Sequence, residues 1–206
     1  YLDPASGSML LSALIGIIAT AFFSMKEFFY KTKSIIFSFF GVKAEKNVYK
    51  LVFYSEGKQY WSTFKPILEA LDKKNIEAIY LTSSEDDKGL SYKTKNIKSR
   101  YIGKGNSAYT YLNMLEAKVC VMTTPGLDVL QIKRSKGVQH YSYVNHSPID
   151  MGKYKLYSFD CFDSIFLSGV HQERSIRTLE ALRDTKKKEL INAGCPYMDE
   201  LALRVD

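Results

Sequence analysis

The sequence has few cysteines and lacks the glycine-rich motifs of self-sufficient nucleotide sites. Its three cysteines, Cys120, Cys161 and Cys195, are widely spaced and form no CxxC pair or Cys/His metal pattern. They predict free thiols in a reducing compartment rather than a disulfide framework or a metal centre. Neither a GxGxxG motif nor a Walker A lysine motif occurs, which argues against a self-sufficient nucleotide site. No covalently bound cofactor is expected.

The length and charge of the chain limit its class. With 206 residues, 46% of them hydrophobic, it can form one well-cored domain plus an appendage. The net charge of +7 suits a polyanionic or membrane-surface partner. The basic residues are scattered in short clusters and no nucleic-acid module is recognisable, so nucleic acid is not an expected partner. A solvated surface is the alternative explanation for the clusters, which lie at Lys26–Lys33, Lys93–Lys98 and Lys186–Lys188.

The front of the chain predicts a membrane anchor. The run from Ser6 to Met25 contains no charged residue, and roughly 20 helical residues span about 30 Å of bilayer. Asp3 precedes the run, whereas Lys26, Lys31 and Lys33 follow it, so the rest of the chain should face the cytoplasm. We expect a single-pass protein of the inner (cytoplasmic) membrane, with residues 1–45 forming a transmembrane helix and an amphipathic juxtamembrane segment.

Three other interpretations of the run fit it less well, although one of them suits the segment that follows. A signal peptide carries its positive charge before the apolar stretch, not after it. A buried core helix would show a polar face. An interfacial helix suits the continuation "KEFFYKTKSIIFSFFG", where lysines alternate with apolar side chains.

Residues 46–206 alternate between strand-like and helix-like segments. Such alternation predicts right-handed crossovers and one Rossmann-like α/β domain with a mostly parallel sheet. Strands are expected at 50–55, 76–82, 97–103, 118–124, 138–147 and 162–169. Helices are expected at 60–75, 106–117 and 125–137, and 171–194 as one long or two short helices.

Small polar residues follow four of the predicted strands. Because ligands of such sheets bind at the carboxyl ends of the strands, these loops predict an acceptor- or phosphate-binding edge. Each loop taken singly is also explained as a helix cap or a turn. The residues are Ser55, Glu56 and Gly57, then Thr123, Thr124 and Gly126, then Ser147, and finally Ser168 and His171.

The histidines differ in what their positions predict. His146, at the end of a strand, is the candidate catalytic base, because an imidazole near neutrality can accept a proton from a hydroxyl. A loop-bracing hydrogen bond is the alternative role. His171 opens a helix, where the dipole favours its neutral form. His140 lies within a strand and is assigned to structure, while Asp160 and Asp163 indicate turns rather than a paired-carboxylate site.

Three stretches of the sequence resemble a known family. These are "HSP" at His146–Pro148, "FDCFDSIFLSGVHQ" at Phe159–Gln172 and "AGCPYMDEL" at Ala193–Leu201. Between about Lys50 and Leu201 the chain resembles the N-terminal domain of CDP-glycerol glycerophosphotransferase-like proteins, which include teichoic-acid polymerases. The opening "YLDPASGS" is similar to a DPGTGS motif that precedes membrane helices in bacterial proteins, with Ala5 and Ser6 in place of Gly and Thr.

This resemblance implies one half of a GT-B transferase. His146 would activate the acceptor hydroxyl in bacterial cell-envelope polymer synthesis, and a CDP-glycerol or nucleotide-sugar donor would bind a C-terminal domain that has no counterpart before Asp206. The implied partners are the bilayer, a lipid-linked acceptor and other membrane subunits. The alternative expectation is a non-catalytic, membrane-tethered binding or scaffold subunit of a membrane complex.

Overall fold

A seven-stranded sheet forms the centre of the computed structural model, which describes residues 48–202. Its strands are β1 (Tyr49–Ser55), β2 (Ala78–Thr82), β3 (Ile97–Tyr101), β4 (Ala117–Met122), β5 (Val138–Val144), β6 (Ser164–Leu167) and β7 (Glu189–Asn192). The α-helices are α1 (Trp61–Lys73), α2 (Asn106–Asn113), α3 (Val170–Arg183) and α4 (Pro196–Ala202), and short 3-10 turns occur at Lys58–Tyr60, Lys88–Ser91 and Met151–Lys153.

Every strand pairing in the sheet is parallel, and the strand order is β3-β2-β1-β4-β5-β6-β7. This is the doubly wound order, in which the chain builds one half of the sheet outward from β1 and then returns to build the other half. The central strands are apolar on both sides because both faces of the sheet are covered. The predicted Rossmann-like α/β domain is therefore confirmed for the described residues.

The two faces of the sheet carry separate apolar cores. One core is built on Tyr54, Met122 and Tyr143 and includes Leu112 of α2 and Ile176 of α3. The other is built on Phe53, Tyr80 and Val121, against which α1 packs Phe64 and Leu68. Successive strand residues point to opposite faces, so the alternation of Phe53 and Tyr54 assigns each face its own core.

Residues 125–137 do not form the predicted helix. They turn instead, with positive φ angles of 80° at Gly126 and 63° at Asp128, and the Asp128 amide donates to the Ile132 carbonyl at 2.8 Å. Left-handed backbone at two positions so close together is incompatible with a right-handed helix. The β4–β5 crossover is therefore an irregular segment that lies over the first core through Leu127 and Ile132.

The predicted helical region 171–194 contains a strand that the sequence pattern did not reveal. Helix α3 ends at Arg183, where Asp184 adopts φ 50°, and β7 then extends the sheet beside β6. Lys188, predicted within a solvated cluster, is instead buried beside Glu180, whose carboxylate accepts from the Lys188 amide at 2.8 Å. This bond ties the turn after α3 to the strand that follows it.

The remaining structural assignments agree with the sequence. Cys120 and Cys195 are buried and Cys161 is partly buried, and all three are free thiols. His140 lies in β5 and its Nε2 is 2.8 Å from Ser164 Oγ. Asp160 and Asp163 each pair with an arginine rather than with each other.

The predicted anchor at 6–25 and the amphipathic segment after it lie outside the described residues. Within residues 48–202, none of the helices combines the length and apolar character that crossing a membrane requires.

A buried carboxylate fixes the connection between β2 and β3. Asp87 accepts hydrogen bonds from the Tyr80 hydroxyl at 2.8 Å, the Thr82 hydroxyl at 2.6 Å and the Gly89 amide at 2.8 Å. Gly89 lies against Trp61, since a Cβ at residue 89 would be 2.7 Å from Trp61 Cε3. Asp87 thus holds a turn beneath the only tryptophan of the chain.

Asp87→Ala should lower the free energy of unfolding by about 2–4 kcal/mol, because three buried donors lose their acceptor. Urea unfolding of the full chain in mild detergent, followed by Trp61 fluorescence, measures the change. The neighbouring Asp86→Ala is the matched control and should change stability little, since Asp86 pairs with Lys58 in solvent. Equal effects of the two substitutions would contradict the role given to Asp87.

Candidate functional site

The reversal of strand order places a crevice between β1 and β4. The chain leaves β1 toward β2 and leaves β4 toward β5, so the loops after these two strands diverge at the carboxyl edge of the sheet. Tyr54 and Met122 are register partners, and the residues that follow them, Ser55 and Thr123, begin the two diverging loops. The sequence reasoning placed both loops at this edge.

Thr123 and Thr124 directly follow β4, at the start of one of the two diverging loops. Both side chains are buried, and neither Oγ1 has a hydrogen-bond partner within residues 48–202. A buried hydroxyl without a partner costs free energy, so such groups are uncommon in native structures. Two in succession at a switch point indicate a position where an external ligand completes the hydrogen bonds.

His146 lies at the end of β5, beside the crevice, and is half-buried. Its Nδ1 is buried and has no hydrogen-bond partner within the described part of the chain. The ring packs edge-on against Tyr60, with 4.8 Å between ring centroids and an interplanar angle of 67°. Burial lowers the pKa of His146, so the imidazole is neutral near pH 7 and can accept a proton.

The first predicted loop uses its own polar groups. The Ser55 hydroxyl donates to the Gly57 carbonyl at 2.8 Å, which closes the turn leading to α1. Glu56 is exposed and lines a cavity of about 250 Å³ with Ser83, Lys104 and Tyr109. Lys104, which sequence reasoning missed, is the cationic side chain of this lining.

The helix predicted to begin directly after Thr124, in the second of the four predicted loops, is wrong. No helix begins at Pro125, and the Gly126 amide donates to the Ser158 carbonyl at 2.8 Å. The amide is therefore committed to the fold. In this loop, the two threonine hydroxyls are the groups still available to bind a ligand.

The loop after His146 is held by Gln172. Its Nε2 donates to the Ile149 carbonyl at 2.8 Å, and its Oε1 accepts from the Ser168 amide at 2.7 Å. Asn145 Oδ1 accepts from the Ser147 amide at 3.2 Å and orders the same turn. Sequence reasoning missed Gln172, although its position directly after His171 at the start of a helix was a usable signal.

Two of the predicted contact residues also brace this loop. The Ser168 hydroxyl donates to the Ser147 carbonyl at 3.3 Å, and His171 Nε2 is 3.2 Å from the Pro148 carbonyl in an exposed position. These bonds connect the β5 and β6 loops and so fix the backbone that carries His146. Ser168 and His171 therefore help to position the loop, and ligand contact by Ser147, Ser168 and His171 stays a prediction.

Comparison with known proteins yields no relative. No family model, no curated protein and no solved structure matches the chain. The residues and geometry of the crevice therefore carry the functional argument. Within residues 48–202 there is also no group of three or more His, Cys, Asp or Glu side chains arranged to hold a metal ion.

The imidazole of His146 should titrate below the usual histidine pKa of about 6.5. Removing the ring that shields it, in Tyr60→Ala, should raise the pKa of His146 toward that value because solvent then reaches the imidazole. Imidazole proton shifts recorded by NMR as a function of pH measure the pKa of His146 in the wild-type protein and in Tyr60→Ala. Because the unfolded chain takes up this proton at higher pH, stability should fall as the pH decreases through the usual histidine range. An unshifted His146, or one insensitive to Tyr60, would contradict this environment.

Thr123→Val should raise the free energy of unfolding of the ligand-free protein by about 1 kcal/mol, since it removes an unpaired buried hydroxyl. Ser55→Ala is the matched comparison and should lower it by about 1 kcal/mol, because that hydroxyl is bonded. Thermal or urea unfolding of the two variants shows whether each substitution raises or lowers the free energy of unfolding. If both substitutions destabilise equally, the Thr123 hydroxyl serves the fold and not a ligand.

Proposed function

We propose that this chain is the acceptor-binding part of a membrane-anchored, cytoplasmic transferase similar to CDP-glycerol glycerophosphotransferases. In this proposal it moves a glycerol-phosphate group, or a sugar, from a nucleotide-linked donor to a hydroxyl of a membrane-linked acceptor in cell-envelope polymer synthesis. Two findings carry the proposal: a neutral, half-buried His146, and two unpartnered threonine hydroxyls on the loop of the neighbouring strand at the same edge of the sheet.

The geometry supports acid–base chemistry on a hydroxyl. A base must be unprotonated at working pH and have a free nitrogen, and both conditions favour His146. Thr123 and Thr124 supply hydroxyls that can donate to or accept from an alcohol group. Gln172 and Asn145 hold the loop that carries the imidazole, which reduces the cost of ordering it when a ligand binds.

The proposed step is a nucleophilic displacement at phosphorus. The acceptor oxygen forms a bond to the phosphorus of the glycerol-phosphate group while the bond from that phosphorus to the nucleotide oxygen breaks. The acceptor proton passes to His146, and the nucleotide leaves with the electron pair. The donor would be held by residues outside the described part of the chain, so His146 acts on the acceptor alone.

The uncharged run at 6–25 supports the choice of a membrane-linked acceptor. An anchor that confines the domain to the bilayer raises its effective concentration toward a substrate in the same membrane. The lysines at 26, 31 and 33 would add attraction to anionic headgroups on that side.

His146→Ala should reduce transfer at least about 100-fold, because a positioned general base contributes on the order of 10²–10⁴ in rate. The complete native protein, taken from its own membrane, is assayed with CDP-glycerol and with nucleotide sugars on a lipid-linked acceptor. Added imidazole should partly restore the His146→Ala rate, which a structural role would not produce. Thermal unfolding of the variant checks that the fold is kept.

Retained turnover in His146→Ala would contradict the assignment of the base. Acceptor binding by the wild-type protein, without transfer from any nucleotide-linked donor, would contradict the enzyme itself. That second result would favour the membrane-tethered binding subunit.

A further inference from the structure

Apolar side chains are exposed on the two irregular crossovers that follow β4 and β5. Leu130 is 50% exposed in the first crossover, and Leu156 and Tyr157 are 69% and 51% exposed in the second. Neither crossover contains an α-helix, so irregular segments lie beside α2 and α3 over the first core. We call the surface formed by Leu130, Lys153, Lys155, Leu156 and Tyr157 the crossover patch.

The two crossovers are joined, so the patch is continuous. Leu130 packs on Gly126, where a Cβ would lie 2.9 Å from Leu130 Cδ1. The Gly126 amide in turn donates to the carbonyl of Ser158, directly after Tyr157. The Arg183 guanidinium lies 4.9 Å above the Tyr157 ring centroid and holds that ring in place.

Positive charge is interleaved with these apolar groups. In the stretch Lys153–Tyr157, "KYKLY", Lys153 and Lys155 are exposed, and neither forms an ion pair within residues 48–202. Exposed lysine next to leucine and tyrosine is the combination that enters a bilayer interface, where the alkyl stems lie among headgroups and the ammonium groups meet phosphate.

We propose that the crossover patch docks on the surface of an anionic lipid bilayer. Its charge selects this occupant over two others. The segment 26–46 of the same chain carries Lys26, Lys31, Lys33, Lys43 and Lys46 against Glu27 and Glu45, so it would meet the patch with like charge. A second copy of the patch would likewise oppose lysine to lysine, whereas the phosphates of anionic lipid complement its charge.

Docking rests on the proposed membrane location of the chain, but not on transfer chemistry. An anchor holds the chain at the bilayer without orienting the domain, and the patch would supply the orientation. The two properties are separable, because flotation of the full chain with vesicles reports the anchor while a probe on the patch reports docking.

The experiment places an environment-sensitive fluorophore on the full chain in vesicles. Leu156→Cys carries the probe at the patch, and Ala70→Cys, exposed on α1 over the opposite face of the sheet, is the matched control. Both are made with Cys161→Ser, since Cys120 and Cys195 are buried. In vesicles containing phosphatidylglycerol, emission at residue 156 should shift to shorter wavelength and be quenched by spin-labelled lipid, while residue 70 shows neither.

A charge-reversal pair tests the lysines. Lys153→Glu with Lys155→Glu should abolish the shift at residue 156, whereas Lys93→Glu with Lys95→Glu, an exposed pair of the same spacing before β3, should leave it. Equal emission from probes at 156 and 70 in anionic vesicles would overturn the proposal. A shift already present in detergent would overturn it too, indicating a second copy if it depends on protein concentration and the chain's own segment if it does not.

Discussion

The position of β1 between β2 and β4 is the constraint on which the rest of the structure depends. β1 is the first strand of the described sheet. It lies between β2, which follows it directly in the chain, and β4, which a later crossover places on its other side. The loops after β1 and β4 therefore part, and a crevice opens at their carboxyl ends without any special loop sequence. Each side chain discussed as functional lies on a loop that leaves this edge.

The crevice retains polar groups that the fold does not use. Elsewhere in the described residues, buried polar groups are tied into the structure, as Asp87 is to three donors and Glu180 is to the chain before β7. Thr123, Thr124 and His146 instead keep buried polar atoms without partners in residues 48–202. Since each such atom costs about 1–3 kcal/mol, their occurrence on two neighbouring loops at one edge of the sheet favours a ligand that satisfies them.

The sequence pattern predicted six of the seven strands and was insufficient where backbone conformation overrides local pattern. The catalytic role of His146 stays a prediction. The apolar run 50–55 forms a strand as predicted, and α1 ends at Lys73, close to the predicted end at residue 75. The segment 125–137 has helical spacing, but Gly126 and Asp128 take left-handed conformations that tertiary contacts impose. The four-residue strand β7 was missed because lysines directly precede it. The burial of Lys188 depends on Glu180, a partner on the preceding helix that no local pattern reveals. The contact of Tyr60 with His146 joins residues far apart in sequence and had no local signal.

The measurement that tests the central claim most directly is an NMR titration of the full chain in detergent with glycerol phosphate and with glycerol, the simplest fragments of the proposed acceptor. If the crevice is the binding site, backbone and methyl shifts should change at Thr123, Thr124 and the residues around His146, and the unpartnered hydroxyls should become slow to exchange. Shift changes confined to other surfaces, or none at millimolar ligand, would contradict the account.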